Sequence, residues 1–239
     1  MKTCIALMLL CVSFSVAQDD VNANPGKSKF RFSVGYGVAV MNPEEINLHI
    51  ATSNTQMNAV AKSIKSMPEL YASVTARPKE SSAIVILRAG YLSTERTYSF
   101  TFPETDNTNT PVGTVIGSLT ETYSAYPFSI GVGLQNSDQT AQFQFEFIYG
   151  LGYIEEQGSY IQTNGSRTSY TRSLFSPTYG YRAALSVMVP ITDKLGIGFD
   201  LGYRYMTFNE YEDQTTVQAS SLEFKMSGIQ GGVGLTFNL

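Results

Sequence analysis

The sequence predicts an all-β fold: an eight-stranded antiparallel transmembrane β-barrel with a helical first external loop. Three observations predict it. Apolar residues recur at period two along segment after segment. The 239 residues include 15 Tyr, 14 Phe and 20 Gly but no Trp. Tight turns alternate with long polar connections.

The first element is not part of the barrel. Lys2 gives a positive start, Cys4 to Val16 form an apolar run, and Ser15-Val16-Ala17 fits a small-x-small cleavage site. The run is shorter than the ~20 residues a spanning helix needs. Residues 1–17 are therefore expected to be a signal peptide, 18–27 a short linker and 28–239 the barrel domain. Both cysteines, Cys4 and Cys11, fall in the leader, which removes disulfide and thiolate chemistry from the mature chain. Without Lys2, 15 basic residues stand against 20 acidic ones, a net charge of −5. That argues against a nucleic-acid partner, which needs a basic face.

Strands follow from alternation, because successive side chains point to opposite faces. Over 28–41, Phe30, Phe32, Val34, Tyr36, Val38 and Val40 alternate with Arg31, Ser33, Gly35, Gly37 and Ala39. The same pattern predicts strands over about 83–102, 114–134, 139–155, 175–191, 195–208 and 220–239. In each, one face is large and apolar and the other is rich in Gly, Ala and polar residues. A soluble sandwich would put its large face inward and polar residues outward. Small residues instead suit the crowded lumen of a narrow barrel, leaving the large face to lipid. Seven strands cannot close a single-chain barrel of even count. Leu70–Arg77 is the candidate eighth and the weakest of the set.

The turns set the orientation. Gln135–Asp138 and Thr192–Lys194 are tight, whereas 103–113, 155–174 and 209–219 are long and polar. Short turns belong on the periplasmic side and long loops outside. The first external segment, 42–67, reads as a helical hairpin. Asn42-Pro43-Glu44-Glu45 offers an N-cap, Pro at the first helical position and Glu at the third. Ser53–Gln56 repeats the capping spacing, and Met57, Val60, Ala61, Ile64 and Met67 share one helical face before Pro68. Such a pair is expected to pack over the barrel mouth. In 155–174, Asn164-Gly165 is a hairpin turn signal. The flanking strands are expected to form a protruding ribbon whose edges can recruit a partner by strand addition.

Seven charges fall on inward faces: Lys29, Arg31, Arg88, Arg182 and Arg204, with Glu146 and Asp200. In so narrow a space they are expected to pair and close the lumen, since unpaired burial is costly. The excess of bases leaves a narrow anion-favouring pore as the alternative. The single histidine, His49, falls in the helical loop away from a strand-borne polar partner, and no Gly-x-Ser-x-Gly occurs. No catalytic site is expected. One His and no mature Cys give no metal site, and the acidic run 209–213 reads as solvated loop.

This pattern resembles the small bacterial outer-membrane β-barrel superfamily that includes the OmpX-, OmpW- and OmpA-type barrels, over residues 28–239. The terminal GVGLTFNL, with Val233, Leu235, Phe237 and Leu239 in alternation, resembles the membrane-insertion signal of that family, although Leu239 stands where Phe is usual. The resemblance implies the outer membrane of a Gram-negative-type bacterium, contact with outer-membrane lipid, and the barrel-assembly machinery as a partner during insertion. Members include adhesins, narrow channels and lipid-modifying enzymes, so the likeness specifies architecture more than activity. The expected role is structural or surface interaction through the external loops, with an extracellular partner at the 155–174 ribbon. A narrow passive channel, or an OmpW-like small-molecule transporter, is the alternative. A monomer without cofactor is expected.

Overall fold

The computed structural model describes residues 30–41, 43–78, 81–105, 110–209, 211–213, 219–220 and 223–239. Eight long strands close a ring: β1 (Phe30–Met41), β2 (Ser66–Ala76), β3 (Ala83–Thr105), β4 (Pro111–Gln135), β5 (Ala141–Ile161), β6 (Arg167–Pro190), β7 (Leu195–Phe208) and, last in the chain, β11 (Gly228–Asn238). Each pairs antiparallel with its neighbours, and β1 meets β11 from Arg31↔Asn238 to Met41↔Gly228. Between β7 and β11 lie the short β8 (Tyr211–Asp213), β9 (Ala219–Ser220) and β10 (Phe224–Lys225). The predicted leader, linker and Lys29 lie outside the described residues.

The weak strand is real and longer than expected. Pro68 looked like a break, yet it sits in β2 opposite Val38. The pairing of β2 with β3 begins only at Glu69↔Leu92, so Pro68 need not donate to that side.

The outer surface is apolar over a defined height. On β3 the exposed face runs from Ala83 to Tyr91, and on β4 from Leu134 back to Tyr126. Nine residues at about 3.4 Å each, tilted by ~40°, span roughly 23 Å, the height of a transmembrane apolar band. The band ends in touching rings: Tyr91–Tyr126 at 5.0 Å, Tyr126–Tyr153 at 5.8 Å and Tyr153–Phe175 at 5.1 Å. Beyond them the outward positions become Ser93 and Glu95 on β3, Thr120 and Thr122 on β4, and Glu155 and Gln157 on β5. This is an eight-stranded barrel of the outer-membrane type. Val233, Leu235, Phe237 and Leu239 all lie on the lipid face.

Past the girdle, β3 to β6 continue as a four-stranded sheet. The predicted ribbon is therefore not a free hairpin. Pairing runs to Ile161↔Arg167 within β5–β6, and β4 covers the other side of β5 up to Ile116↔Ile161. Gly165 takes φ +81° after the Gln162–Gly165 turn, the left-handed position that glycine serves without strain. The acidic run is not a plain loop either, since β8 pairs with β6 at Leu174↔Asp213 and Phe175↔Glu212.

The helical loop is half as expected. α1 (Glu44–Met57) forms with Pro43 as its cap residue and without a side-chain cap bond, and Asn42 lies outside the described residues. Asn58 adopts φ 48° and ψ 42°, a left-handed stop, and no second helix follows. Residues 59–65 form neither helix nor strand and are tied to α1 by two asparagines. Asn47 donates to Ile64 O at 3.0 Å and accepts from Ile64 N at 2.6 Å. Asn54 does the same for Ala61, at 2.8 and 2.7 Å. Val60, predicted on the apolar face, is 95% exposed.

Candidate functional site

Two polar clusters occupy the barrel interior, one at mid-depth and one under α1. The first gathers six side chains from five strands. Arg182 bonds Glu146, which also accepts from Ser129. Arg182 Nη2 lies 3.7 Å from Asp200 Oδ2, and Arg88 Nη1 reaches the same oxygen at 3.0 Å. Arg88 Nη2 is 3.7 Å from Glu69 Oε1, and Arg204 Nη1 is 3.2 Å from Glu69 Oε2. The guanidinium of Arg88 also stands 3.7 Å from the centre of the Tyr71 ring. Three cations and three carboxylates form one chain of contacts across the lumen.

Small residues make the space. A Cβ on Gly131 would come within 2.7 Å of Glu146 Cγ, so the chain can only be glycine there without displacing the carboxylate. The remaining gaps are minor. One cavity of ≈ 30 Å³ lies beside Arg31, Tyr71, Arg88 and Asp200, and one of ≈ 10 Å³ lies beside Glu69 and Arg204. The smaller has room for about one water, and Arg204 Nε and Nη2, buried beside it, have no hydrogen-bond partner among the described residues.

Of the seven predicted lumen charges, Arg88, Glu146, Arg182, Asp200 and Arg204 come together. Arg31 points inward but stays outside this group, and Lys29 is outside the described residues. Glu69 was missed, because the predicted strand began at Leu70. Its inclusion corrects the expected excess of bases, since the mid-lumen group is three against three.

The second cluster overturns the reading of His49. His49 Nε2 lies 3.0 Å from Glu121 Oε1 on β4. Tyr98 and Tyr123 donate their hydroxyls to Glu121 Oε2 at 2.8 and 2.5 Å. Glu121 stands five residues past Tyr126, beyond the apolar band. The bond to Glu121 raises the His49 imidazole above its ordinary range, against the opposing effect of burial. Burial pushes Glu121 up, but the hydrogen bonds from His49 and Tyr123 outweigh it and hold the carboxyl low. Burial and the adjacent carboxylate raise both tyrosines. No sequence spacing could pair residues 49 and 121; only the ring brings α1 over β4.

Around this polar knot the mouth is filled with hydrocarbon. Ile46 and Ile50 of α1 pack with Ile64, Met67, Leu92, Ile154, Leu174, Met206, Phe208 and Phe224, all at or below 2% exposure. Gly152 lies directly under Phe208, where a Cβ would meet the ring at 2.7 Å. The lumen is thus occupied at two levels, by an apolar plug and by a salt-bridged layer.

No family model and no curated protein matches the sequence. Among solved structures the chain is similar to Ail, the attachment invasion locus protein of Yersinia pestis, solved with the heparin analogue sucrose octasulfate. The identity is 11% over 88% of this chain and 98% of Ail, with a TM-score of 0.43. It is also similar to the outer-membrane protein OprG of Pseudomonas aeruginosa, at 10% identity over 90% and 98% and a TM-score of 0.41. Neisserial surface protein A gives 12% identity over 89% and 98%, at 0.34. At such scores these likenesses add nothing to what the strand ring itself displays.

Proposed function

We propose that this chain is an outer-membrane barrel of a Gram-negative-type bacterium with a structural or surface-interaction role, and that its working surface is the sheet of β3–β6 beyond the girdle. Residues 1–17 direct export in this reading, and the strand ending in Val233, Leu235, Phe237 and Leu239 presents the insertion signal to the assembly machinery. The C-terminal ends of β2, β4 and β6 then face the periplasm, and α1 with the extended sheet faces outward.

The observation that carries this reading is the sheet itself. Its inner face bears Phe100, Phe102, Tyr160 and Tyr170 above the plug, where no lipid reaches. Its borders are β3 beyond Leu92 and β6 before Leu174, which pair with no further strand among the described residues. Unpaired strand borders can accept an extended segment of a partner. The borders stand in place of the hairpin edges expected at 155–174.

An epitope inserted between Asn164 and Gly165 should label on intact cells. Failure to label while the protein is correctly inserted would remove the surface role. A narrow passive channel or a small-molecule route requires passage through both filled levels. Planar-bilayer recordings should therefore show no conductance above background, and stable single-channel steps would favour the channel reading instead.

A further inference from the structure

Among the described residues the mid-depth arginines are paired with carboxylates, and two arginines at the turn end are not. Arg31 and Arg77 make no ion pair with a carboxylate among the described residues. Arg31 is only 6% exposed. Its Nη2 donates to the backbone carbonyl of Gln139 at 2.6 Å and its Nε to Asn238 Oδ1 at 3.2 Å. With the amide oxygen of Gln139 turned toward Arg77, that oxygen accepts from Nη1 at 2.9 Å and Nη2 at 3.2 Å. Two guanidinium groups thus converge on one residue through neutral acceptors only. Gln139 itself holds φ +60°, an uncommon conformation for a residue with a side chain.

Burying a cation is costly when only neutral dipoles replace its water, and a second cation beside it adds repulsion. The three mid-lumen arginines, Arg88, Arg182 and Arg204, each have a carboxylate. Beside Arg31 lies the ≈ 30 Å³ cavity, bordered by Ser73, by Ser33 and Thr236, whose hydroxyls bond each other at 3.1 Å, and by Asp200, whose charge is met by Arg88. Gly198 and Gly234 line it without side chains. Arg31 Nη1 and Arg77 Nε make no hydrogen bond among the described residues, so both retain a donor.

We propose that Arg31 and Arg77 form an oxyanion site at the turn end of the lumen, taking a phosphate group that is either free phosphate or the phosphate of a lipid headgroup. Guanidinium forks match tetrahedral oxyanions through paired N–H bonds, and the hydroxyls beside Arg31 supply further donors. The site is independent of the surface role, since it lies at the opposite end of the barrel.

The test uses the full-length protein folded in uncharged detergent. Inorganic phosphate is titrated against sodium chloride at matched ionic strength, with phosphorus NMR line broadening as a readout that does not depend on stability. The wild type should show saturable broadening and a saturable rise in unfolding midpoint. Arg77→Gln lies outside the mid-lumen network and should keep the fold while raising half-saturation at least tenfold. Arg31→Gln should do the same, and the double variant should show no saturable signal. Phosphatidic acid added to the micelles separates the sources: displacement of inorganic phosphate points to a headgroup, and no displacement points to free phosphate. Equal responses to phosphate and chloride, or an undiminished response in the double variant, would overturn the proposal.

Discussion

Replacing Glu146 with Gln tests whether the mid-lumen layer holds the barrel shut. The carboxylate is fully buried and meets Arg182 and Ser129. The exchange keeps the shape and an acceptor oxygen but leaves three guanidinium groups facing two carboxylates. Arg182 retains Asp200, though at 3.7 Å, and Gln144 Oε1 at 3.2 Å. Removing one partner of a buried pair typically costs 3–5 kcal/mol. The retained acceptor places this case near the lower end, about 3 kcal/mol, or roughly a hundredfold in the unfolding equilibrium. With a urea slope of 1–3 kcal/mol per molar, the midpoint should fall by about 1–3 M. The assay is reversible urea unfolding in lipid vesicles, followed by tyrosine fluorescence and by the gel shift of the folded form. Pairing the change with Arg182→Met should recover most of the loss, because the leftover cation is removed as well. An unchanged midpoint for Glu146→Gln would refute the reasoning.

Other outcomes follow from the plug. The folded His49 pKa lies above its unfolded value, so its contribution is complete below about pH 6.5 and is lost as pH rises through the folded value. Hydrogen-exchange protection over 44–57, taken relative to the intrinsic exchange rate, should therefore fall as pH rises above about 6.5, and His49→Gln should abolish that fall; an identical protection profile would exclude the contact as a latch. Glu121 has the opposite sign: its contribution is present above the ordinary carboxylate range and disappears as pH falls through its lowered value. Ile50→Ala should loosen α1 by about 2–5 kcal/mol in local exchange. The same variant should still pass no current, because the salt-bridged layer remains; new channel activity would show that the plug alone closes the lumen.

The strands were legible because lipid and lumen impose opposite chemistry on adjacent residues, and that alternation survives without knowledge of the partners. The inward position of Arg88, Glu146, Arg182, Asp200 and Arg204 follows from the same parity. Glu69 escaped because Pro68 read as a boundary, and only the late start of the β2–β3 pairing makes proline acceptable there. The second helix failed for a local reason. Met57, Val60, Ala61, Ile64 and Met67 have helical spacing, but Asn58 turns left-handed and Asn47 and Asn54 hold the next residues in an irregular path against α1. Ile64 and Met67 are buried all the same, from a non-helical chain. The contact of His49 with Glu121 spans 72 residues and depends on ring closure, which no local pattern encodes.

The distances in sequence across the mid-lumen layer carry a consequence for assembly. Glu69 meets Arg204 from 135 residues away, and Arg88 meets Asp200 from 112. A one-residue slip of any strand would turn its charge to the hydrocarbon. An arginine exposed at the bilayer midplane costs about 2–4 kcal/mol, in addition to the partner it abandons. The layer thus acts as a checksum on strand alignment: it sums to neutrality only when β2, β3, β5, β6 and β7 have all arrived in frame. A two-residue slip would keep Val, Leu and Phe on lipid, yet it would still part each charge from its partner, so apolar alternation alone does not fix the frame and the layer does.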